Sequence, residues 1–457
     1  MSNIKDSNID NHSIDIGKDA NKNVIQTGTD NISQIININL NINLLTEEQL
    51  RKISSDLKLI NRGQNQSLDR ESTLQYIDQQ ISIDKPSQKS IPAEPDKQKV
   101  FIELLFNLGV MFANGGVGGV FKNELKDEVK AIKYLQAAAK LEHAQAQLYL
   151  GLMHEQGRGI TQDYKEAMAW YQKAAEQGNA LAQYALGLMY DAGRGVAKDY
   201  EKACSYFQKS AEQGDTNAQF CLGIIYSNKT EWRGILKDDI KSLEWFQKAA
   251  NNGHIDAQFN LGIIYERGYG IEKNEAEAFQ WYKKAAEQGY ADTQCNLGVM
   301  YANGIGITPN GKKAVTWYKR AARQAHIQAQ FNLGLIYLKG HPDIPKNGQE
   351  AITYFTEVAE QGDARAQYIL GRILIENAPE EISKETLECY QTAIKYFQES
   401  AEQGHADAQC SLGMAYETGV GVSKKDLAQA IKWYQKAAIQ GHSTAQKKLK
   451  ILSDSQS

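Results

Sequence analysis

One motif returns nine times at nearly fixed spacing, and this periodicity constrains the fold of the chain more than any other feature. The glycine of a Leu-Gly pair recurs every 36 to 42 residues, at 109, 151, 187, 223, 262, 298, 334, 371 and 413. A segment of this size cannot bury its own apolar face, so the copies must stack on one another. The cleanest copy contains, in order, Ala180-Leu-Ala-Gln183, Leu186-Gly187, Tyr190 and Gly193-Arg-Gly195.

Each repeat is predicted to contain two helices. Small and apolar residues recur at helical spacing from the Ala-x-Ala-Gln segment to the tyrosine, which indicates a first helix, helix A. The repeat glycine lies inside this helix, where it costs about 0.5–1 kcal/mol relative to alanine, so we expect another helix to pass close to it. This structural role is assigned to Gly151, Gly187, Gly223, Gly262, Gly298, Gly334, Gly371 and Gly413.

The second helix, helix B, is predicted to begin after a Gly-x-Gly turn, at an acid or amide that can cap its free N–H groups. The repeat of Gly371 lacks this turn and has Cys389 where a cap is expected. In the other repeats the predicted caps are Asp127, Asp163, Asp199, Asp239, Asn274, Asn310, Asn347 and Asp426.

Over residues 102–450 these motifs resemble the Sel-one-like repeat family, a relative of the tetratricopeptide repeats. The Leu-Gly-x-x-Tyr core is shared with tetratricopeptides, whereas the longer period and the Gly-x-Gly-Val loop are not. The resemblance implies an all-α, right-handed superhelical solenoid that acts as an adaptor or scaffold for protein complexes. It implies neither one fixed partner nor common catalytic residues.

The chain before the repeats has a different composition. Between Ile36 and Leu44 aliphatic residues alternate with asparagine, which predicts a strand that pairs either with strands of the same chain or with another protomer. The predicted segments are an Asn/Ile-rich β-prone head at 1–45, an amphipathic helix at 46–63, a polar linker at 64–97, nine repeats with the cap helix Ser443–Leu452 at 98–452, and a disordered tail at 453–457.

Composition limits the classes of function. A net charge of −4 over 457 residues argues against a broad nucleic-acid or anionic-membrane surface. No apolar run reaches the ~18 residues of a membrane helix, and the first residues lack a signal peptide, so we expect a cytoplasmic protein. Five scattered cysteines argue against the disulfide-stapled, secreted, β-lactam-binding branch of the family.

Two patterns that suggest chemistry have simpler explanations. Residues 306–313 match most of a phosphate-binding loop, but they lack its final Ser/Thr and no strand precedes them. No nucleophile–base set is present, so we predict no enzyme activity, no cofactor and no metal site. The histidines that follow helix B are interpreted as surface turn residues, because successive repeats lie too far apart to share a metal: His143, His254, His326, His405 and His442.

The candidate partner-binding residues follow from placing helix A on the tetratricopeptide frame. Positions three before and one after the repeat glycine should then face a concave groove, where they either pack between A helices or stay exposed to bind a peptide. The candidates are Tyr184, Phe220, Phe259, Phe331, Tyr368 and Arg372, with Trp232 in a loop insertion. Neighbouring variable residues would set specificity: Glu155, Asp191, Glu266, Arg267, Lys339, Arg365 and Glu417.

Two functions remain open at this point. The first is a non-enzymatic adaptor that binds a protein partner through the groove and forms homo-oligomers through residues 1–45. The second is a regulatory or sensor subunit of a bacterial effector or defence complex, which would restrain an associated enzyme such as a protease or nuclease.

Overall fold

The described part of the chain is entirely helical. The computed structural model describes residues 95–114, 127–227, 236–379 and 383–454. These residues form 19 α-helices in consecutive helix–turn–helix pairs and no β-strand, apart from an isolated bridge between His341 and Ile344. The predicted all-α solenoid class is thus confirmed. The predicted head at 1–45, the helix at 46–63 and Trp232 lie outside the described residues, so these assignments stay predictions.

The helices alternate between the two predicted kinds. The A helices are α1 (Pro95–Asn114), α3 (Ala144–Gln156), α5 (Ala180–Ala192), α7 (Thr216–Ser227), α9 (Ile255–Arg267), α11 (Ala291–Asn303), α13 (Ile327–Lys339), α15 (Ala364–Glu376) and α17 (Ala406–Thr418). The B helices are α2 (Glu128–Lys140), α4 (Tyr164–Glu176), α6 (Tyr200–Glu212), α8 (Asp239–Asn251), α10 (Glu275–Glu287), α12 (Gly311–Ala322), α14 (Gly348–Glu360), α16 (Lys384–Glu402) and α18 (Leu427–Ile439). Helix α19 (Ser443–Asp454) follows the last pair.

The chain divides into two compact halves, Met1–Ala257 and Gln258–Ser457, with the boundary inside α9. Within each half, an A helix packs against its own B helix and against the B helix before it. The A helices therefore form the interior. In α5, for example, every residue from Ala182 to Met189 is buried, whereas the B helices keep one charged face in solvent.

The repeat glycine marks the closest approach of the two helices in a pair. A Cβ built on Gly187 would lie 2.6 Å from the Phe207 ring, and one on Gly151 would lie 2.5 Å from the Tyr171 ring. Such distances leave no room for a methyl group, so only glycine lets helix B pack this closely. The contacting side chains, all buried on helix B, are Leu135, Tyr171, Phe207, Phe246, Tyr282, Tyr318, Phe355, Phe397 and Tyr434.

The last described helix lacks this glycine contact. Helix α19 starts as an A helix does, since Gln446 Nε2 donates to the Ala438 carbonyl at 3.2 Å. Four residues later, where an A helix has its glycine, α19 has Lys450. A lysine there would occupy the space that a B-helix ring requires, so α19 lacks the glycine contact of the A helices. It ends two residues beyond the predicted cap helix, whose capping role stays a prediction.

Several helix starts differ from the sequence expectation. Helix α1 begins at Pro95, within the segment assigned to the linker. The cap of α8 is Asp238, which accepts from Lys241 N at 3.0 Å, whereas Asp239 pairs with Lys237 at 2.7 Å. The cap prediction at Asp239 was wrong because the first small residue of this helix is Ser242, and the repeat spacing of four residues places the cap at Asp238.

In the repeat of Gly371, helix B starts earlier than predicted. Helix α16 has 19 residues and begins after Ser383, whose hydroxyl accepts from Thr386 N at 3.2 Å. Thr386 also reaches back to the Ser383 backbone, which completes a capping box. Cys389 therefore lies inside the helix and is not its cap. Because Ser383 caps the helix, α16 begins about one and a half turns before the cap position, Cys389, that the repeat predicts.

The glycine contact predicts a specific loss of stability. Gly262→Ala should lower the free energy of unfolding by about 1–3 kcal/mol, because the new methyl group would overlap the Tyr282 ring. Gly348→Ala is the matched control, since a methyl group added there, at the start of α14, would meet nothing within 4 Å. Urea denaturation should show a loss for the first variant and none for the second. Equal stability of the two would contradict the packing argument.

Candidate partner-binding surface

Most of the candidate aromatic side chains three residues before the repeat glycine are buried by packing. Tyr184 is 2% exposed, and Phe220, Phe259 and Phe331 are 9%, 5% and 7% exposed. Tyr368 alone among them is partly exposed. Of the two alternatives left open by the sequence, tight packing therefore describes the first four side chains, and a partner cannot reach them without displacing what covers them.

The cover is the first turn of the following A helix. Phe106 stacks on His143 with ring centroids 4.6 Å apart, and Phe220 stacks on His254 at 4.5 Å. In the other half, the Arg365 guanidinium lies 4.3 Å from the centre of the Phe331 ring. These aromatic residues thus join one repeat to the next, and their periodicity reflects stacking of the array.

The histidines in the inter-repeat turns are helix caps. The Nδ1 atoms of His143 and His326 each accept the N–H three residues later, at 3.1 Å. Because Nδ1 accepts, the proton of the neutral ring is on Nε2, which in His326 donates to Asp292 of the preceding repeat at 3.0 Å. The interpretation as surface turn residues was therefore incomplete, because these rings are partly buried caps that replace the usual Asp or Asn.

Three of the acids expected to set specificity are bound inside the array. The hydroxyl groups of Tyr171 and Tyr282 donate to Glu155 and Glu266, each at 2.7 Å, and Tyr434 donates to Glu417 at 2.5 Å. Burial raises the pKa of the Glu155 carboxyl, and Arg194 lies 3.5 Å from it. These carboxylates satisfy buried tyrosines, and their expected part in partner specificity stays a prediction.

The residue four positions after the repeat glycine depends on whether helix B places a tyrosine or a phenylalanine against that glycine. The three glutamates face tyrosines, whereas the repeats with phenylalanine on helix B have no hydroxyl to satisfy. Tyr318 is the exception, because Ala302 stands at this position and Asn332 of the next repeat bonds the hydroxyl instead. Variation at this position therefore reports on internal hydrogen bonding. In the phenylalanine repeats the position holds Asp191, Ser227, Leu338 or Ile375.

Most positions one residue after the glycine are partly open in the C-terminal half, although Val299 is 5% exposed. Their counterparts in the other half, such as Leu188 at 4% exposed, are buried, whereas Leu335, Arg372 and Met414 are partly exposed. Arg372 donates to Glu376 at 2.6 Å, and its Nε has no hydrogen-bond partner within the described residues. We name the surface formed by Leu335, Arg372 and Met414, on α13, α15 and α17, the A face.

The loop that resembles a phosphate site binds an internal carboxylate. The backbone N–H groups of Gly311 and Lys312 each donate to Asp343 at 3.0 Å, and His341 holds the same carboxylate. The amides that a phosphate would need are therefore occupied. Across the described ranges no three His, Cys, Asp or Glu side chains are grouped to hold a metal ion, and no helix there has the length and apolar character needed to cross a bilayer.

Comparison with known proteins identifies the repeat. A family model described as Sel1 repeat matches nine consecutive stretches, at 102–143, 144–179, 180–215, 216–254, 255–290, 291–326, 327–363, 364–405 and 406–442. The chain belongs to the Sel1 repeat family. No curated protein matches it.

Solved structures of Sel1 repeat proteins are similar to this chain. The protective antigen c5321 from uropathogenic Escherichia coli, which displays an SLR fold, is 34% identical over 77% of this chain and 80% of its own, with a TM-score of 0.50. A Sel1 repeat protein from Oxalobacter formigenes is 35% identical over 51% of this chain and 94% of its own, with a TM-score of 0.44.

One feature of the Sel1 array escaped the sequence analysis. A groove of about 620 Å³ lies on the outer side of the B helices α6 and α8, next to Cys204. The signal was present in the sequence, because the residue after the first small residue of helix B is large and apolar in other repeats. Aligning the nine B helices at this position would have singled out Cys204 as the one small residue.

The histidine caps predict a pH dependence of stability. Burial lowers the pKa of His254 to about 4, against ~6.5 when unfolded, so its cap is fully effective above pH 6.5 and is lost as the pH falls towards 4. At pH 5 this residue should cost about 1–2 kcal/mol of unfolding free energy relative to pH 7. His254→Asn keeps a cap of the kind seen at Asn179 and should lose that part of the pH dependence. Denaturation at both pH values measures it, and identical pH dependence in the two proteins would contradict the assignment.

Proposed function

We propose that this Sel1 repeat protein is a non-enzymatic scaffold whose C-terminal half binds a partner polypeptide across the A face. Sel1 repeat solenoids are as a class protein-interaction modules, and the proposal concerns which surface is used. The observation that supports it is the partial exposure of Leu335, Arg372 and Met414 at positions that are buried in the N-terminal half.

The chemistry of the A face suits a peptide with apolar side chains on either side of a carboxylate. Leu335 and Met414 supply apolar surface, and a flexible methionine can adapt to different side chains. Between them, the Arg372 guanidinium can bind a carboxylate with two parallel hydrogen bonds. Tyr368, one turn before Arg372, adds a partly exposed aromatic ring. Arginine and tyrosine are enriched among residues that dominate binding energy.

The existing Arg372–Glu376 ion pair limits how much a partner can gain. Glu376 is 53% exposed, so solvent screens the pair and its net contribution is small. A partner carboxylate that reaches Arg372 would replace a weak exposed contact with one that the partner itself shields from water. Before binding, the contact with Glu376 holds the guanidinium in place, which reduces the conformational entropy lost on association.

The test is charge reversal on the A face. Arg372→Glu should weaken binding of the physiological partner by about thirtyfold or more, as expected for a central arginine. Lys384→Glu changes the charge equally at a side chain that is 90% exposed on α16, and it should bind as the unaltered protein does. Capture from native lysate with mass spectrometry identifies the partner, and calorimetry measures its affinity.

Two outcomes of this experiment would change the proposal. Equal loss of affinity in both variants would point to overall charge, and no loss in either would place the partner elsewhere. If the captured partner is a hydrolase whose activity falls on binding, the protein is the regulatory subunit that the sequence left open as its second function.

A further inference from the structure

The outer groove is created by one departure from the repeat. Eight residues line it: Glu201, Cys204, Ser205, Gln208, Tyr226, Lys241, Glu244 and Trp245. Cys204 follows Ala203, the first small residue of α6. At the equivalent position the other B helices have a large apolar residue, namely Ile132, Met168, Leu243, Phe279, Val315, Ile352, Ile394 and Ile431.

The repeat that contains Phe279 shows what is missing beside Cys204. Phe279 packs edge-on against Tyr301 of the following A helix, with ring centroids 5.3 Å apart. Tyr226 occupies the position of Tyr301 two pairs earlier, and the residue in the place of Phe279 is the small Cys204, which is hydrogen-bonded to Tyr226. The volume that a phenyl ring fills in one half of the protein is therefore open in the other.

Between α4 and α6, one pair earlier, a hydrogen bond between the two B helices closes the equivalent groove. There the Tyr206 hydroxyl donates to Gln172 Oε1 at 2.8 Å and so bridges the two B helices. At the outer groove the corresponding residues are Trp245 and Gln208, and Trp245 carries Lys248 over its ring at 3.9 Å. A buried tryptophan therefore forms the wall in the place of the tyrosine that bridges α4 and α6.

Two exposed apolar side chains lie near the start of α8, the helix that supplies one wall of the groove. Leu236 is 86% exposed and Ile240 is 63% exposed, in the chain that enters α8 and in its first turn. Ile240 precedes Glu244 by four residues, so both lie on the helix face that borders the groove. Apolar surface that is left in solvent beside an open groove is typical of an interaction site.

The charges at the rim select a cation. Lys241 is neutralised by Asp238, 3.6 Å away, and lies over the Tyr226 ring at 5.3 Å. Glu201 and Glu244 are exposed, and within the described residues neither forms an ion pair. The groove therefore has an apolar floor and two free carboxylates at its rim.

We propose that the outer groove binds a partner polypeptide by accepting one apolar side chain that stands beside an arginine or lysine. The apolar group fills the space opposite Tyr226 that Phe279 fills beside Tyr301, and the cation meets Glu201 and Glu244. A volume of about 620 Å³ is within the range of small-ligand sites and exceeds what one side chain needs, so the neighbouring base also fits. This site is separate from the A face and lies in the other half of the chain.

A small probe that combines both groups tests the proposal on the full chain. 4-Phenylbutylguanidinium, titrated and followed by saturation-transfer NMR, should bind the unaltered protein, and 4-phenylbutyrate should bind more weakly. Cys204→Phe should abolish binding, since it rebuilds the Phe279 arrangement, whereas Cys204→Ser keeps the space and should bind as before. Glu201→Gln and Glu244→Gln should each weaken binding by about twofold to fivefold, as exposed ion pairs do.

The controls separate filling of the groove from damage to the fold. Thermal melting should show that Cys204→Phe is as stable as the unaltered protein; if it is not, the two Glu→Gln variants decide, because they change no packing. Failure of the probe to bind the unaltered protein, equal binding of phenylbutyrate, or undiminished binding to a folded Cys204→Phe variant would each overturn the proposal.

Discussion

The structure depends on the contact between a glycine in each A helix and a side chain on its own B helix. Without a Cβ, the backbone of the A helix can approach a ring such as Phe207 to within van der Waals distance. This approach fixes the spacing within a pair and thereby leaves the apolar faces of the pair free to pack on the next one. In α19, Lys450 stands in the glycine position, so this helix has no room for the same contact.

The polar residues of the motif form hydrogen bonds with backbone groups at the ends of helices. Gln183, for example, donates to the Ala175 carbonyl of the preceding B helix at 3.3 Å and accepts from Gln213 at 2.7 Å. Such a glutamine satisfies a carbonyl that the helix leaves open and couples two repeats. The histidine caps and the Tyr–Glu pairs do the same for other buried groups. In a repeat protein, periodic polar residues are therefore weak evidence for a functional site, and departures from the period are stronger evidence.

The fold was largely predictable from the sequence, and the site was not. The position of Gly187 within a helical pattern predicted a close approach, and a cap such as Asp199 predicted the start of helix B, because both effects are local. Whether Phe331 is exposed depends on Arg365 of the next repeat, which a pattern within one repeat cannot reveal. The adjacent carboxylates Asp238 and Asp239 could have been separated, since the repeat spacing of four residues before Ser242 selects Asp238.

The most direct test of this account is a double-mutant cycle at Gly334 and Phe355, a pair with no hydroxyl to complicate it. The methyl group that Gly334→Ala introduces would lie 2.7 Å from the Phe355 ring. The account predicts that Gly334→Ala costs about 1–3 kcal/mol in the unaltered protein and close to nothing when Phe355 is already alanine, so that the coupling free energy equals the cost. Costs that add independently, with no coupling, would contradict it.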